Sequence, residues 1–96
     1  MKLFIIVHKD LTPSQMAVQA GHAVAEYLLH SHFSRWKNET LIYLGVKDLR
    51  KLHQLKYKFE RDGITYTEFR EPDLNNELTA IATDVESKHT ERLNLL

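Results

Sequence analysis

The segment Glu71-Pro72-Asp73-Leu74-Asn75-Asn76-Glu77 brings three carboxylates and two amides close together. Such a set can position a water molecule or accept a proton from it. Pro, Asp and Asn also dominate turns, and composition leaves the two readings level. A second set follows the first apolar run. Gln15, Gln19, His22 and Glu26 are spaced three and four apart, so on a helix they form one polar stripe. The stripe can line a site. Spacing favours a solvated face with His22 and Glu26 as an ordinary i,i+4 pair. A metal reading would add His30 and His32. Residues eight apart on a helix stand about 12 Å apart along its axis, too far for one ion, and no metal site is expected.

Two further groups are charged. Lys9 and Asp10 follow the apolar run Leu3 to Val7 and precede Thr12, Pro13 and Gln15. In open α/β sheets ligands bind beyond the carboxyl ends of the strands, and a helix N-terminus offers free N–H groups to an anion. Helix capping is the plainer role for the Thr-Pro-x-Gln sequence. Lys47, Arg50, Lys51, Lys58 and Arg61 fall within roughly a third of a helix circumference, with Asp48 and Glu60 projecting away. Such a stripe can contact phosphates, although a solvated lysine-rich face is commoner. The chain has no glycine-rich phosphate loop, no G-x-S-x-G elbow and no H-E-x-x-H motif.

These groups need elements to hold them. Leu3 to Val7 is a continuous β-branched and aromatic run, which predicts a strand buried on both faces. Thr12 as N-cap, Pro13 at the first position and Gln15 closing a capping box predict a helix from Pro13 to about Ser31. Met16, Ala20, Ala23, Val24 and Tyr27 share its main apolar face, and Val18, Ala25 and Leu29 form a second strip. His32 to Thr40 reads as a loop, with Trp36 expected to fold back on the core. Leu41 to Val46 is a second strand. A second helix follows Lys47-Asp48 and runs to about Asp62, burying Leu49, Leu52, Leu55 and Phe59 and ending at Gly63. Thr65 to Phe69 reads as an exposed or edge strand and Leu78 to Thr83 as a fourth strand, while Val85 to Leu96 is expected to be loosely attached. The order β-α-β-α-β-β predicts an α/β fold of three layers, α/β/α, around a mixed four-stranded sheet.

Composition sets the outer bounds. Ninety-six residues predict one domain over 1–96. There is no cysteine, so no disulfide frame and no thiol chemistry. Thirteen basic residues balance thirteen acidic ones, which weighs against strong non-specific nucleic-acid binding but leaves room for a local patch. No signal peptide or membrane-spanning run is read in the sequence, and a cytoplasmic location is expected.

An apolar strand ending in Lys9-Asp10-Leu11, the helix motif Gln19-Ala20-Gly21-His22-Ala23 and the order of elements resemble the type-2 peptidyl-tRNA hydrolase family. Phe69-Arg70-Glu71-Pro72-Asp73 and Glu77-Leu78-Thr79-Ala80 look closer still to a compact bacterial and phage branch of that superfamily. The resemblance implies hydrolysis of the ester joining a peptide to tRNA, with no metal or other cofactor, tRNA or peptidyl-tRNA as partner, and a homodimer through the first helix. It carries over to Asp10, Gln19 and His22, then to Glu71 in the acidic loop and Thr79 at the start of the last strand. Under it Glu71 or Asp73 orients water, and Thr79 and Gln19 hold the substrate carbonyl or ribose. Lys9, Lys47, Arg50 and Lys51 meet phosphates, and Asp10, His22, Asn75 and Asn76 complete the substrate-binding set. The sequence departs from the family in two places. Thr12 to Met16 replaces a lysine-rich, glycine-containing segment, and Glu71 to Asn75 replaces a loop containing arginine and glycine. A non-catalytic RNA- or nucleotide-binding module that retains the fold is the alternative.

Overall fold

Leu3, Ile5 and Val7 alternate with Phe4 and Ile6 along β1 (Lys2–His8), and the two sets belong to different apolar clusters. The period-2 geometry of a strand sends them to opposite faces, so β1 is covered on both. The structure is a computed structural model and describes residues 1–30 and 34–96. The expected helix end at Ser31, the candidate His32 and the loop residue Phe33 lie outside them.

The first face is covered by α1 (Pro13–His30), through Ala20, Ala23 and Tyr27 with Met16 and Val24 alongside. The helix starts as its sequence dictates. Thr12 N–H donates to Gln15 Oε1 at 3.1 Å and Gln15 N–H donates to Thr12 Oγ1 at 3.2 Å, a reciprocal capping box. Trp36 folds back against Tyr27 and is 4% exposed. The second apolar strip, Val18, Ala25 and Leu29, stays uncovered, and Leu28 beside it is also more than half exposed.

The second face is covered by α2 (Leu49–Arg61), through Leu52, Leu55 and Phe59. Asp48 caps it by accepting from Lys51 N–H, and Gly63 ends it at φ +68°, a conformation glycine adopts without steric cost. The fold is therefore α/β with a helix on each face of a mixed sheet.

The sheet has five strands, one more than expected, in the order β3-β4-β1-β2-β5. Here β2 is Thr40–Val46, β3 Thr67–Glu71, β4 Glu77–Thr83 and β5 Asn94–Leu95. β1 and β2 are parallel, and the other pairs are antiparallel. β3 is an edge strand, as its mixed alternation predicts. It starts two residues later than expected and continues through Glu71, so the acidic segment begins on a strand.

The added strand comes from the tail expected to be loose. Ser87 opens a one-turn helix, α3 (Lys88–Glu91), with a full capping box, and His89 and Thr90 are buried. Asn94 and Leu95 then pair with Gly45 and Leu44. A two-residue strand is too short to show alternation. It forms because β2 would otherwise leave an open edge.

Candidate functional site

The strand period also builds the candidate site. Along β3, Glu68 and Arg70 point to the α2 side, where Lys56 bonds Glu68 at 2.8 Å. Burial opposes ionisation of Glu68, but the hydrogen bonds from Lys56 and Arg70 outweigh it and hold its carboxyl below the usual range. Phe69 and Glu71 point to the α1 side. Phe69 stacks on His22 with ring centres 4.4 Å apart and planes 6° from parallel, and Glu71 Oε1 accepts from Gln19 Nε2 at 3.0 Å.

Thr79 reaches the same place through a β-bulge. Phe69 pairs with Ala80, but Arg70 pairs with Leu78, leaving Thr79 as an extra residue on β4. A bulge re-aims a side chain without breaking the rest of the strand. Here Ala80 lies in the α1-side cluster, and Thr79 Oγ1 donates to Gln19 Oε1 at 2.8 Å. The buried amide is satisfied at both ends. Its carbonyl faces Thr79, so its NH2 faces Glu71 and the Glu71 oxygen it meets is an acceptor. Glu71 Oε2 has no hydrogen-bond partner among the described residues.

Glu71 and Gln19 line a cleft of about 260 Å3 with Ser14, Gln15, Val18, Asp73 and Leu74. It lies between the first half of α1 and the turn after β3, at the carboxyl end of that strand. Pro72–Leu74 forms a single 3-10 turn, and Asn75 and Asn76 close it in the left-handed region at φ 53° and 60°. Asn76 N–H then returns to the Glu71 carbonyl at 3.0 Å. Both readings of the acidic segment thus apply, to different residues. Glu71 and Asp73 line a cleft, while Asn75 and Asn76 are exposed turn residues.

The remaining candidates lie elsewhere. Asp10 Oδ2 accepts from Leu49 N–H at 3.1 Å and ties the β1–α1 loop to the start of α2. Lys9 lies across Gly45 on β2, where a Cβ would sit 2.6 Å from Lys9 Cε, so a larger residue there would push the lysine chain aside. Lys47, Arg50 and Lys51 are exposed at the start of α2, on the layer opposite the cleft. His22 packs on Phe69, and Glu26 pairs with His30 rather than with His22. Among the described residues no cluster has the donors for a metal ion, and no helix is long and apolar enough to cross a membrane.

One polar pair was not singled out from sequence. His8 is 1% exposed at the end of β1, and its Nε2 lies 3.0 Å from Glu77 Oε2. Glu77 is the ladder partner of Glu71. Only the position of a polar residue directly after five buried apolar ones hinted at it.

A family model described as peptidyl-tRNA hydrolase PTH2 matches residues 1–91. The chain belongs to that family. Membership agrees with the resemblance carried by Asp10, Gln19 and His22. Within the PTH2 frame, Gln19 is the member of that trio that reaches the cleft. Among solved structures the chain is similar to a protein of unknown function, Atu0240, from Agrobacterium tumefaciens. The TM-score is 0.72 at 12% identity, over 99% of this chain and 96% of that one. This likeness concerns the fold alone. No curated protein matches the chain in sequence.

Proposed function

We propose that the chain is a peptidyl-tRNA hydrolase-like esterase that cleaves the ester between peptide and tRNA with an activated water. The observation that carries this reading is the bonded series Thr79–Gln19–Glu71, of which Gln19 and Glu71 line one cleft and Thr79 lies buried behind it, in a chain of the PTH2 family. Glu71 orients the water and takes its proton as the oxygen attacks the ester carbonyl. The tetrahedral intermediate collapses by expelling the ribose oxygen, which recovers that proton. Asp73 stands at the rim as a second carboxylate, while Gln19 and the fully buried Thr79 hold Glu71 in place. Ser14, at the first turn of α1, lines the cleft with a hydroxyl that can donate to the developing oxyanion. No metal or other cofactor enters these steps.

Phosphate contacts fall to Lys9 and to Lys47, Arg50 and Lys51, since the cleft is lined by two carboxylates and no cation. Asp10, His22, Asn75 and Asn76 support binding by shaping the loops and helix around it. The proposed substrate is a product of translation, which supports a cytoplasmic location. The uncharged outer face of α1, with Val18, Leu28 and Leu29, supports a homodimer through that helix. Val18 also lines the cleft, so such a dimer would form part of its rim.

The cation-free cleft also favours a second reading, a non-catalytic RNA- or nucleotide-binding module that keeps the fold. Incubation of the protein in excess over N-acetylaminoacyl-tRNA separates the two. The esterase releases the acyl-amino acid, and the binding module leaves the ester intact.

A further inference from the structure

Leu49–Arg61 carries five of the thirteen basic residues of the chain and one of the thirteen acidic ones. Two of the five are engaged, Lys56 with Glu68 and Arg61 with Asp62. Arg50, Lys51 and Lys58 make no ion pair among the described residues, and neither does Arg92 of the C-terminal segment. Amid these cations Tyr57 is 65% exposed, the largest exposed aromatic side chain on the described surface.

The side chains around Tyr57 leave a shallow groove of about 430 Å3, walled by α2 alone and lined by Arg50, His53, Gln54, Lys58 and Arg61. It contains no carboxylate. Gln54 and Lys58 also line a second, narrower groove of about 110 Å3 between α2 and the C-terminal turn, together with Lys51 and Arg92. The two grooves therefore adjoin along Gln54 and Lys58. A planar group can lie on Tyr57 while the anions on either side of it meet Arg50 in one direction and Lys51, Lys58 and Arg92 in the other.

We propose that the outer face of α2 is a single-stranded RNA contact separate from the cleft, in which an unpaired base stacks on Tyr57 and its neighbouring phosphates lie against Arg50, Lys58 and Arg92. Stacking on an exposed aromatic ring beside a cationic track is how sequence-tolerant single-strand binders work. The net charge of zero does not oppose this, because neither groove is lined by a carboxylate. The placement has a consequence for the substrate. Since α1 and α2 cover opposite faces of the sheet, a substrate whose phosphates lie on α2 must pass round the edge of the sheet to place its acylated end in the cleft. The inference rests on the RNA part of the proposed function, but not on an active cleft.

The test uses the full chain and a fluorescein-labelled single-stranded RNA twelve-mer without any ester, so an inactive cleft cannot alter the result. Tyr57→Ala is expected to weaken binding about tenfold, and Tyr57→Phe, which keeps the ring, to bind like the parent. Lys58→Glu is expected to weaken binding further and to flatten its salt dependence by about one phosphate contact. Each of these side chains is exposed, so the variants are expected to fold, as circular dichroism would check. Unchanged affinity in both Tyr57→Ala and Lys58→Glu would overturn the proposal. So would competition by polyglutamate equal to that of unlabelled RNA, since the face would then read charge alone and suit an acidic protein.

Discussion

Thr79 donates its hydroxyl hydrogen to the Gln19 carbonyl oxygen across 2.8 Å, joining residues 60 apart in the chain. This bond fixes which end of the Gln19 amide faces Glu71. It exists because β4 bulges at Thr79 and turns that side chain toward α1. Replacing Thr79 with Val keeps the shape but leaves the buried carbonyl unpaired, at a cost of about 1–3 kcal/mol. Urea unfolding would measure that loss, and Thr79→Ser would restore most of it. Ester hydrolysis is expected to fall with Thr79→Val and recover with Thr79→Ser, because the amide then resumes its orientation.

The turn after β3 depends on two asparagines in left-handed conformation. Asn76→Gly is expected to be tolerated, since glycine adopts that region without steric cost. Asn76→Val is expected to destabilise by about 1–2 kcal/mol. Thermal melts of the two variants side by side would check the ordering. A chemical role for the Asn76 side chain would instead make glycine as damaging as valine to hydrolysis.

Much of this arrangement was legible in the sequence. Thr12, Pro13 and Gln15 announced the start of α1, and Gly63 the end of α2, because capping is local chemistry. The layers followed from Leu3 to Val7 and from Leu52, Leu55 and Phe59, because burial imposes a period. Gln19 was harder. Its spacing placed it on a polar stripe that reads as solvated, yet it is 3% exposed. What buries it is Thr79, brought over by a bulge that no local pattern encodes. The short β5 escaped for a similar reason, since only the open edge of β2 defines it. His22 keeps its place in the family motif, but here its ring lies on Phe69.

Asp62 joins the end of α2 to the C-terminal segment. The Arg61 guanidinium, and after it His89, hold its carboxyl below the usual range. A depressed folded-state pKa stabilises the fold above the unfolded value of about 3.9, and that contribution is lost as pH falls through the folded-state pKa. The gap in melting temperature between the parent and Asp62→Asn is therefore expected at pH 5 and to shrink steadily toward pH 2. A gap independent of pH over that range would remove the ionised carboxylate from the explanation.

The proposed dimer through α1 would bury Val18 and Leu29, which are 55% and 75% exposed in the isolated chain. A charge placed there would have to be desolvated on association. Val18→Asp and Leu29→Asp are expected to yield monomers by analytical ultracentrifugation while leaving the unfolding midpoint of the monomer nearly unchanged. A parent protein that sediments as a monomer at high concentration would remove the dimer.

In the proposed reaction Glu71, held by Gln19 and Thr79, activates water against an ester of tRNA. The most direct measurement is single-turnover hydrolysis of N-acetylaminoacyl-tRNA by the parent and by Glu71→Gln. The substitution keeps the size of the side chain and removes the proton acceptor. Clear release of the acyl-amino acid by the parent is expected, with a loss of about 10²- to 10⁴-fold in the variant. Equal rates for the two proteins, or an ester left intact by the parent, would contradict this reaction.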